Sequence, residues 1–322
     1  MFGSHLSISN SMAGALLEAE FLGLDTVQVF TKNQQQWKVK PFDESVVRDW
    51  HAELKRLGWQ TRTVSHASYL INLASVQDEL FAKSVDLMTV EIERCEQLSI
   101  PFLVHHPGSF VGWTLEQGMT RIADAYQELF KRTKGFKTVC CLEGTAGAGS
   151  HIGGDFAHLA WLREAIIDRT GEPKRIGFCL DTCHLHVAGY DMSTKAAAKA
   201  ALDQFDKQCG VANLKVWHLN DSKGAHGSHL DRHEHVGLGQ IGGNPPKHAK
   251  PAKAAKFSTS RLADSGFATI MQDPRFANIP KILETPKEPS PTTKVRGKAV
   301  PIPAAKRLDS INIKRLKSLC ER

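Results

Sequence analysis

The chain is expected to fold as a (β/α)8 barrel, and three observations lead there. Eight short apolar or β-branched runs alternate with longer amphipathic stretches, and Gly-, Pro- and Asn-rich punctuation separates the two kinds of element. The polar residues that end five successive runs recur at a nearly constant interval, as a repeated βα unit requires. At 322 residues, 41% of them apolar, the chain could form one large α/β domain or two ordinary ones, and the repeat favours one. A doubly wound open sheet is the structural alternative, but it would normally use fewer strands.

In order, the expected strands are SHLSI (4–8), TVQVF (26–30), RTVSH (62–66), FLVHH (102–106), TVCCLE (138–143), IGFCLD (176–181), LKVWHL (214–219) and KILET (281–285). Between them lie helical patterns such as SMAGALLEAEFLG, with Ser11 available as N-cap, and QDELFAKSVDLMTVEIERCEQL, whose apolar positions recur at three and four residues. The strand-ending residues His66, His106, Glu143, Asp181 and His218 are 40, 37, 38 and 37 residues apart. The next such residue, Glu284, follows after 66, so one connection there carries an insertion. Part of the excess is the Lys/Ala/Pro-rich segment 244–262, expected to be a flexible surface loop. The barrel is therefore placed at 1–286, with a basic linker and short helix at 287–322.

The net charge of +7 is unevenly distributed. Segment 244–262 holds five basic and no acidic residues, and 287–322 holds ten basic and three acidic ones, so the body of the chain is acidic. Such appendages engage polyanions or simply solubilise. In the tail, Leu308, Ile311, Leu316 and Leu319 mark a short basic helix, expected to close the barrel from outside, with nonspecific DNA affinity as the alternative. The seven cysteines form no CxxC pair and are odd in number, which excludes a disulfide framework and a zinc ribbon and favours a reducing compartment. Cys140, Cys141, Cys179 and Cys183 lie in apolar strand-like runs and are expected to be inert buried thiols. No apolar run approaches the roughly 20 residues of a membrane span, and no signal-peptide pattern follows Met1. A soluble, cytoplasmic monomer is expected.

In a β/α barrel the C-terminal ends of the strands converge on the active site. Six strands here end in a potential metal ligand: His66, His106, Glu143, Asp181, His218 and Glu284. Packing does not explain so many polar groups at one mouth, because uncompensated polar groups there are costly. DTCH (181–184) adds His184 three residues after Asp181, and LDRH (230–233) adds Asp231 and His233, which share a face if that segment is extended. Nine candidate ligands exceed one tetrahedral zinc and suit two or three metals with bridging carboxylates. Imidazole with carboxylate favours zinc, with manganese or iron as substitutes. Such a site serves phosphoester hydrolysis, and equally a sugar isomerase or epimerase that binds a hydroxy-carbonyl pair. Composition and spacing leave both open.

Ten blocks narrow the choice: FTKNQQQW (30–37), HASYLINL (66–73), RCEQL (94–98), HPGS (106–109), LEGTAGAGS (142–150), LDTCHLHVAGYD (180–191), HLND (218–221), DRHEHVGLGQIG (231–242), MQDPRF (271–276) and ILET (282–285). In this order and spacing they resemble endonuclease IV, the zinc-dependent apurinic/apyrimidinic (AP) endonuclease family of base-excision repair, over about residues 1–286 apart from 244–262. The resemblance implies three zinc ions. His66, His106 and Glu143 would hold the first. Glu143 would bridge to a second, shared with Asp181, His218 and Glu284. His184, Asp231 and His233 would hold the third. It further implies cleavage 5′ to an abasic site in double-stranded DNA, leaving a 3′-hydroxyl and a 5′-deoxyribose phosphate, together with repair of blocked 3′ ends. Glu143 would help hold the nucleophile and Glu284 would orient the reacting oxygen. The third class of function, a noncatalytic DNA-binding protein, is disfavoured because all nine ligand positions are filled.

The same resemblance places Tyr69 and Leu70 as wedges that enter the minor groove where a base is missing. The third wedge position, usually Arg, is Gln35, which forfeits a charge near phosphates. Lys32 is a candidate phosphate contact. Gly144 replaces the usual Asn after the bridging carboxylate, removing a side-chain donor beside the site. His105 and His186 sit beside ligands and are expected either to support them or to lie at the surface, while His5, ending the first strand, is within reach of the site or of DNA.

Overall fold

A computed structural model describes residues 1–244, 256–289, 292–295 and 298–320. Seven short strands come first: β1 (Phe2–Ser4), β2 (Gln28–Val29), β3 (Val64–His66), β4 (Phe102–His105), β5 (Val139–Glu143), β6 (Ile176–Asp181) and β7 (Leu214–His218). A small hairpin, β8 (Asp221–Ser222) with β9 (His233–Glu234), precedes the last barrel strand, β10 (Lys281–Leu283). The barrel strands pair in parallel in the order β1-β10-β7-β6-β5-β4-β3-β2. A parallel bridge between His5 and Gln28, with the Leu6 amide 2.9 Å from the Gln28 carbonyl, joins the two end strands and closes the cylinder. The expected first strand, 4–8, is displaced to Phe2–Ser4, because only this stretch registers against β10.

The helices follow their strands: α1 (Met12–Phe21), α2 (Glu44–Leu57), α3 (Asp78–Gln97), α4 (Leu115–Arg132), α5 (Phe156–Thr170), the short α6 (Thr182–Ala188), α7 (Lys195–Cys209), α8 (Thr259–Ala263) and α9 (Gly266–Gln272). Their ends are set by local chemistry. Ser11 caps α1 by accepting from the Gly14 amide. Thr114 and Gln117 form a reciprocal capping box on α4. Gly58 and Gly171 close α2 and α5 in the left-handed conformation that costs other residues most.

Two apolar layers result. The helices and the outer strand faces share one large core. Trp50 of α2 lies wholly inside it, with its indole N–H donating to the Leu98 carbonyl at 2.8 Å. Trp50→Ala should cost about 3–5 kcal/mol, read as a shift in the urea midpoint. The second layer fills the cylinder: Val64, Val104, Cys141, Cys179, Val216 and Ile282, all fully buried. Each stands two residues before a candidate ligand. A strand repeats its facing every two residues, so this apolar floor fixes the direction in which His66, His106, Glu143, Asp181, His218 and Glu284 project.

Beyond β10 the chain forms an antiparallel hairpin, β11 (Thr292–Val295) with β12 (Lys298–Pro301), and then α10 (Leu308–Lys317). This helix lies between α1 and α9: Ser310 donates to the Leu22 carbonyl at 3.2 Å, and Gln272 donates to the Leu319 carbonyl at 3.1 Å. Its buried apolar face uses Ile313, Leu316 and Leu319, while Ile311 is half-exposed. Asp309 and Asn312 share that face because they bond Lys287 and Thr285, at the end of the last strand. Of the basic segment 244–262, residues 245–255 lie outside the described residues; Asn244 and Lys256 pair as an antiparallel bridge where the chain enters and leaves it. Among the described residues, no helix is long and apolar enough to cross a membrane.

Candidate metal centre

The nine expected residues meet at the mouth of the barrel, in overlapping groups whose donor atoms lie within 4.8 Å of one another. Glu143, wholly buried at the end of β5, is the hub. Its Oε2 lies 3.1 Å from His66 Nε2 and 3.3 Å from His106 Nε2, while Oε1 lies 3.0 Å from His218 Nδ1. Glu284 Oε2 approaches the same His218 nitrogen at 3.2 Å, and Asp181 Oδ2 reaches it at 4.0 Å. Asp181 also meets His233 Nε2 at 3.4 Å, so it joins the second group to the third. In the third, Asp231 lies 3.3 Å from His184 Nε2 and 3.6 Å from His233 Nε2. Asp181 closes β6 and caps α6 through Oδ1, which accepts from the Cys183 amide at 2.6 Å and the His184 amide at 3.1 Å.

The tautomers reveal what this arrangement needs. His66 Nδ1 is 2.8 Å from the Ala67 carbonyl, His184 Nδ1 is 2.8 Å from the Gly144 carbonyl, and His233 Nδ1 is 3.2 Å from the Glu284 carbonyl. A carbonyl only accepts, so each Nδ1 carries a proton, and in the neutral ring each Nε2 presents a lone pair. All three lone pairs point at carboxylate oxygens, an opposition that a shared cation resolves. His233 Nε2 is buried without a hydrogen-bond partner among the described residues, as a nitrogen reserved for such an ion would be. The donor set therefore fits metal ions. Alternatively the imidazoles take protons. Burial would push the Glu143 carboxyl up, yet His218 and His106 hold it well below the usual range. Burial likewise opposes ionisation of Asp231, but His184 and His233 hold it down to about 2.

Two clefts open on the centre. One, of about 440 Å³, is lined by His66, His106, His184, Asp231 and Ser109. The other, of about 820 Å³, is lined by His5, Ser7, Asn33, Gln34 and Lys287. Both include Tyr69, His233 and Glu284. Tyr69 is 58% exposed, with its ring 5.1 Å from that of His66 and 5.8 Å from that of His106, so an aromatic edge stands over the first group. Leu70 beside it is half-buried, and Gln35 is exposed on the facing loop.

Those two loops are tied together from beneath. Ser68 donates to the Gln34 carbonyl at 2.6 Å. Glu91 of α3, almost fully buried, accepts from Thr31 Oγ1 at 2.8 Å and from the Ser68 amide at 3.1 Å. Arg94, from the RCEQL block, donates to the Thr31 and Lys40 carbonyls. Lys32, expected as a phosphate contact, lines the second cleft and also belongs to this anchorage. It is 7% exposed, its Nζ donates to the Asn33 and Gln36 carbonyls at 3.1 and 3.0 Å, and Glu91 lies 3.9 Å away.

The other expectations resolve individually. His5 reaches the centre, with Nδ1 3.4 Å from Glu284 Oε1. His105 is a structural neighbour, bonded to Tyr126 and to the His106 carbonyl. His186 lies 3.5 Å from Asp191. Gly144 supplies its carbonyl to His184, so the missing side chain leaves that support in place. Of the cysteines, Cys183 lies in the first turn of α6 rather than in a strand, and both it and Cys179 place sulfur among the ligand groups. Burial pushes the Cys179 thiol up to about 12. Sequence reasoning passed over Asn220, which donates to Asp181 Oδ2 at 2.6 Å, and Asp221, although both stand in the HLND block.

Residues 16–248 match the family described as xylose isomerase-like TIM barrels. A protein of Chloroflexus aurantiacus (strain J-10-fl) named "Probable endonuclease 4" is 40% identical over 89% of this chain and 91% of its own length. The chain belongs to the endonuclease IV family. A Geobacter relative (strain M21) of the same name is 35% identical over 100% of this chain and 99% of its own. Endonuclease IV from Thermus thermophilus superposes with a TM-score of 0.76 at 29% identity, covering 99% of this chain and 98% of that one. D-psicose 3-epimerase from Clostridium cellulolyticum, at 10% identity and a TM-score of 0.61 over 99% and 98% of the two chains, shares the fold. The sugar-epimerase alternative thus rests on architecture alone.

Proposed function

We propose that the protein is a metal-dependent AP endonuclease. It hydrolyses the phosphodiester 5′ to an abasic site in double-stranded DNA, leaving a 3′-hydroxyl and a 5′-deoxyribose phosphate, and it clears blocked 3′ ends. The observation that carries this reading is the set of imidazole lone pairs turned toward carboxylates at the barrel mouth, beneath an exposed Tyr69. His66, His106 and Glu143 would hold one ion, and Glu143, Asp181, His218 and Glu284 a second. His184, Asp231 and His233 would hold a third, with Asp181 near enough to assist. Zinc suits this imidazole-rich donor set, and manganese can substitute in part. When bound, such ions activate water and neutralise phosphate charge.

The chain's own residues do the rest. Glu143 divides its two oxygens between neighbouring groups, so one carboxylate fixes their separation. Glu284, lying between His218 and His5, faces both clefts and orients the reacting oxygen. Tyr69 and Leu70, with Gln35 from the facing loop, fill the gap left by a missing base, where unstacking costs least. Gln35 adds a hydrogen bond without a charge. The enzyme works as a monomer on DNA in the cytoplasm.

A duplex carrying one tetrahydrofuran residue tests this. The metal-replete protein should incise it once, on the 5′ side, and lose that activity after exhaustive chelation. Zinc should restore it, and manganese should restore it partially. Failure of the replete protein to cut would overturn the proposal.

A further inference from the structure

Three of the imidazoles at the centre are oriented by backbone carbonyls, but His218 is oriented by a side chain. Its Nε2 lies 2.8 Å from Oε1 of Gln28, a wholly buried residue on β2. The Gln28 amide nitrogen makes two further contacts, at 2.7 Å to Glu284 Oε1 and 2.9 Å to His5 Nδ1. These contacts fix which way the amide points. Turned end for end, its oxygen would face a carboxylate oxygen at 2.7 Å, two acceptors with no proton between them. With the oxygen toward His218, Nε2 of that ring must donate. In the neutral ring Nδ1 is then bare, and it faces Glu143 Oε1 at 3.0 Å and Glu284 Oε2 at 3.2 Å. One glutamine therefore sets both the tautomer of an imidazole and the position of a carboxylate in the same group.

We propose that Gln28 is a positioning residue for the ion held by Glu143, Asp181, His218 and Glu284, presenting His218 Nδ1 and holding Glu284 through one amide. The inference rests on the metal-dependent reading above. Gln28 lies two residues before the FTKNQQQW block, and β2 adjoins neither β7 nor β10, so its side chain crosses the inside of the cylinder to reach both partners. Partners that orient ligating imidazoles are worth roughly 10- to 100-fold in metal affinity.

Two measurements test it. In the zinc-loaded wild-type protein with ¹⁵N-labelled histidine, His218 should carry its proton on Nε2. A ring protonated on Nδ1 would overturn the proposal, whatever the variants do. In Gln28→Met, which keeps the length of the side chain, one ion per chain should yield to a chelator at a concentration roughly 10- to 100-fold lower than in wild type, while the others resist. Incision by this variant at limiting zinc should show a reduced kcat with KM for the duplex unchanged. A folded Gln28→Met protein that keeps every ion as tightly as wild type would also sink the idea. Tautomer and ion retention are measured without DNA. A protein that meets both expectations yet leaves abasic DNA intact would overturn the proposed function and leave the role of Gln28 standing.

Discussion

Glu143→Gln is expected to slow incision of an abasic duplex by roughly 10³-fold or more while the barrel stays folded. Glutamine has nearly the volume of glutamate, so the buried site at the end of β5 keeps its packing. What changes is the sign of one contact and the charge of the centre. The carboxylate presents lone pairs from both oxygens, toward His66 and His106 at 3.1 and 3.3 Å and toward His218 at 3.0 Å. An amide must turn its NH₂ toward one of these sides, and that nitrogen cannot bind a cation. On the proposed assignment two ion groups are damaged by one substitution, because both would use this residue. Single-turnover incision and metal content should therefore fall together. Glu143→Asp keeps the charge but is a methylene shorter, so it should lose contact on one side and fall between wild type and glutamine. Incision by Glu143→Gln within tenfold of wild type, with all its metal in place, would refute the hub role.

Much of this centre was legible in the sequence because two periodicities coincide. The βα unit recurs at 37 to 40 residues, which brings strand ends together, and the strand period of two then aims alternate side chains. Val64 and His66, Cys141 and Glu143, Val216 and His218 are the same step repeated around the cylinder, an apolar floor residue followed by a polar mouth residue. Asp231 and His233 stand two residues apart as well, and His233 opens β9, which pairs with β8.

What escaped the sequence are residues whose meaning depends on partners far along the chain. Lys32 looks like an exposed loop lysine until Glu91 of α3 and two local carbonyls enclose it. Gln28 sits in an apolar strand run, and only barrel closure brings it to His218 and Glu284. The apolar face of α10 departs from expectation at Ile311 because Asp309 and Asn312, polar by type, turn inward to meet Lys287 and Thr285. In each case a buried polar side chain is retained because it is hydrogen-bonded, and hydropathy carries no record of that.

Asp221 is such a residue, and its removal should have the second large effect. Its side chain is fully buried just beyond β7 and accepts from four backbone amides. Oδ1 takes Ser222 at 2.8 Å and Ile241 at 2.9 Å, while Oδ2 takes Gly237 at 2.9 Å and Gly242 at 3.2 Å. The glycines in GLGQIGG follow from this arrangement. A Cβ on Gly239 would collide with Oδ1 and with the Ser222 carbonyl, and Gly237 holds a φ of +79°. Asp221→Ala strands those amides in a place water does not reach, each costing on the order of 1–3 kcal/mol. A loss of about 3 kcal/mol or more in urea unfolding is expected if the loop relaxes to satisfy only some of them. Asp221→Asn should recover only part, because its NH₂ would face amide donors on one side. The consequence would extend to the proposed third ion. Ser222 pairs with His233 across the β8–β9 hairpin, so loosening the Gly237–Gly242 loop frees the strand that carries the His233 imidazole. The Asp221→Ala protein should thus give up the ion of the His184, Asp231 and His233 group first, while the group around His66 and His106 holds. Simultaneous loss of all ions, or a stability change below about 1 kcal/mol, would show that the loop and the hairpin are not coupled through this carboxylate.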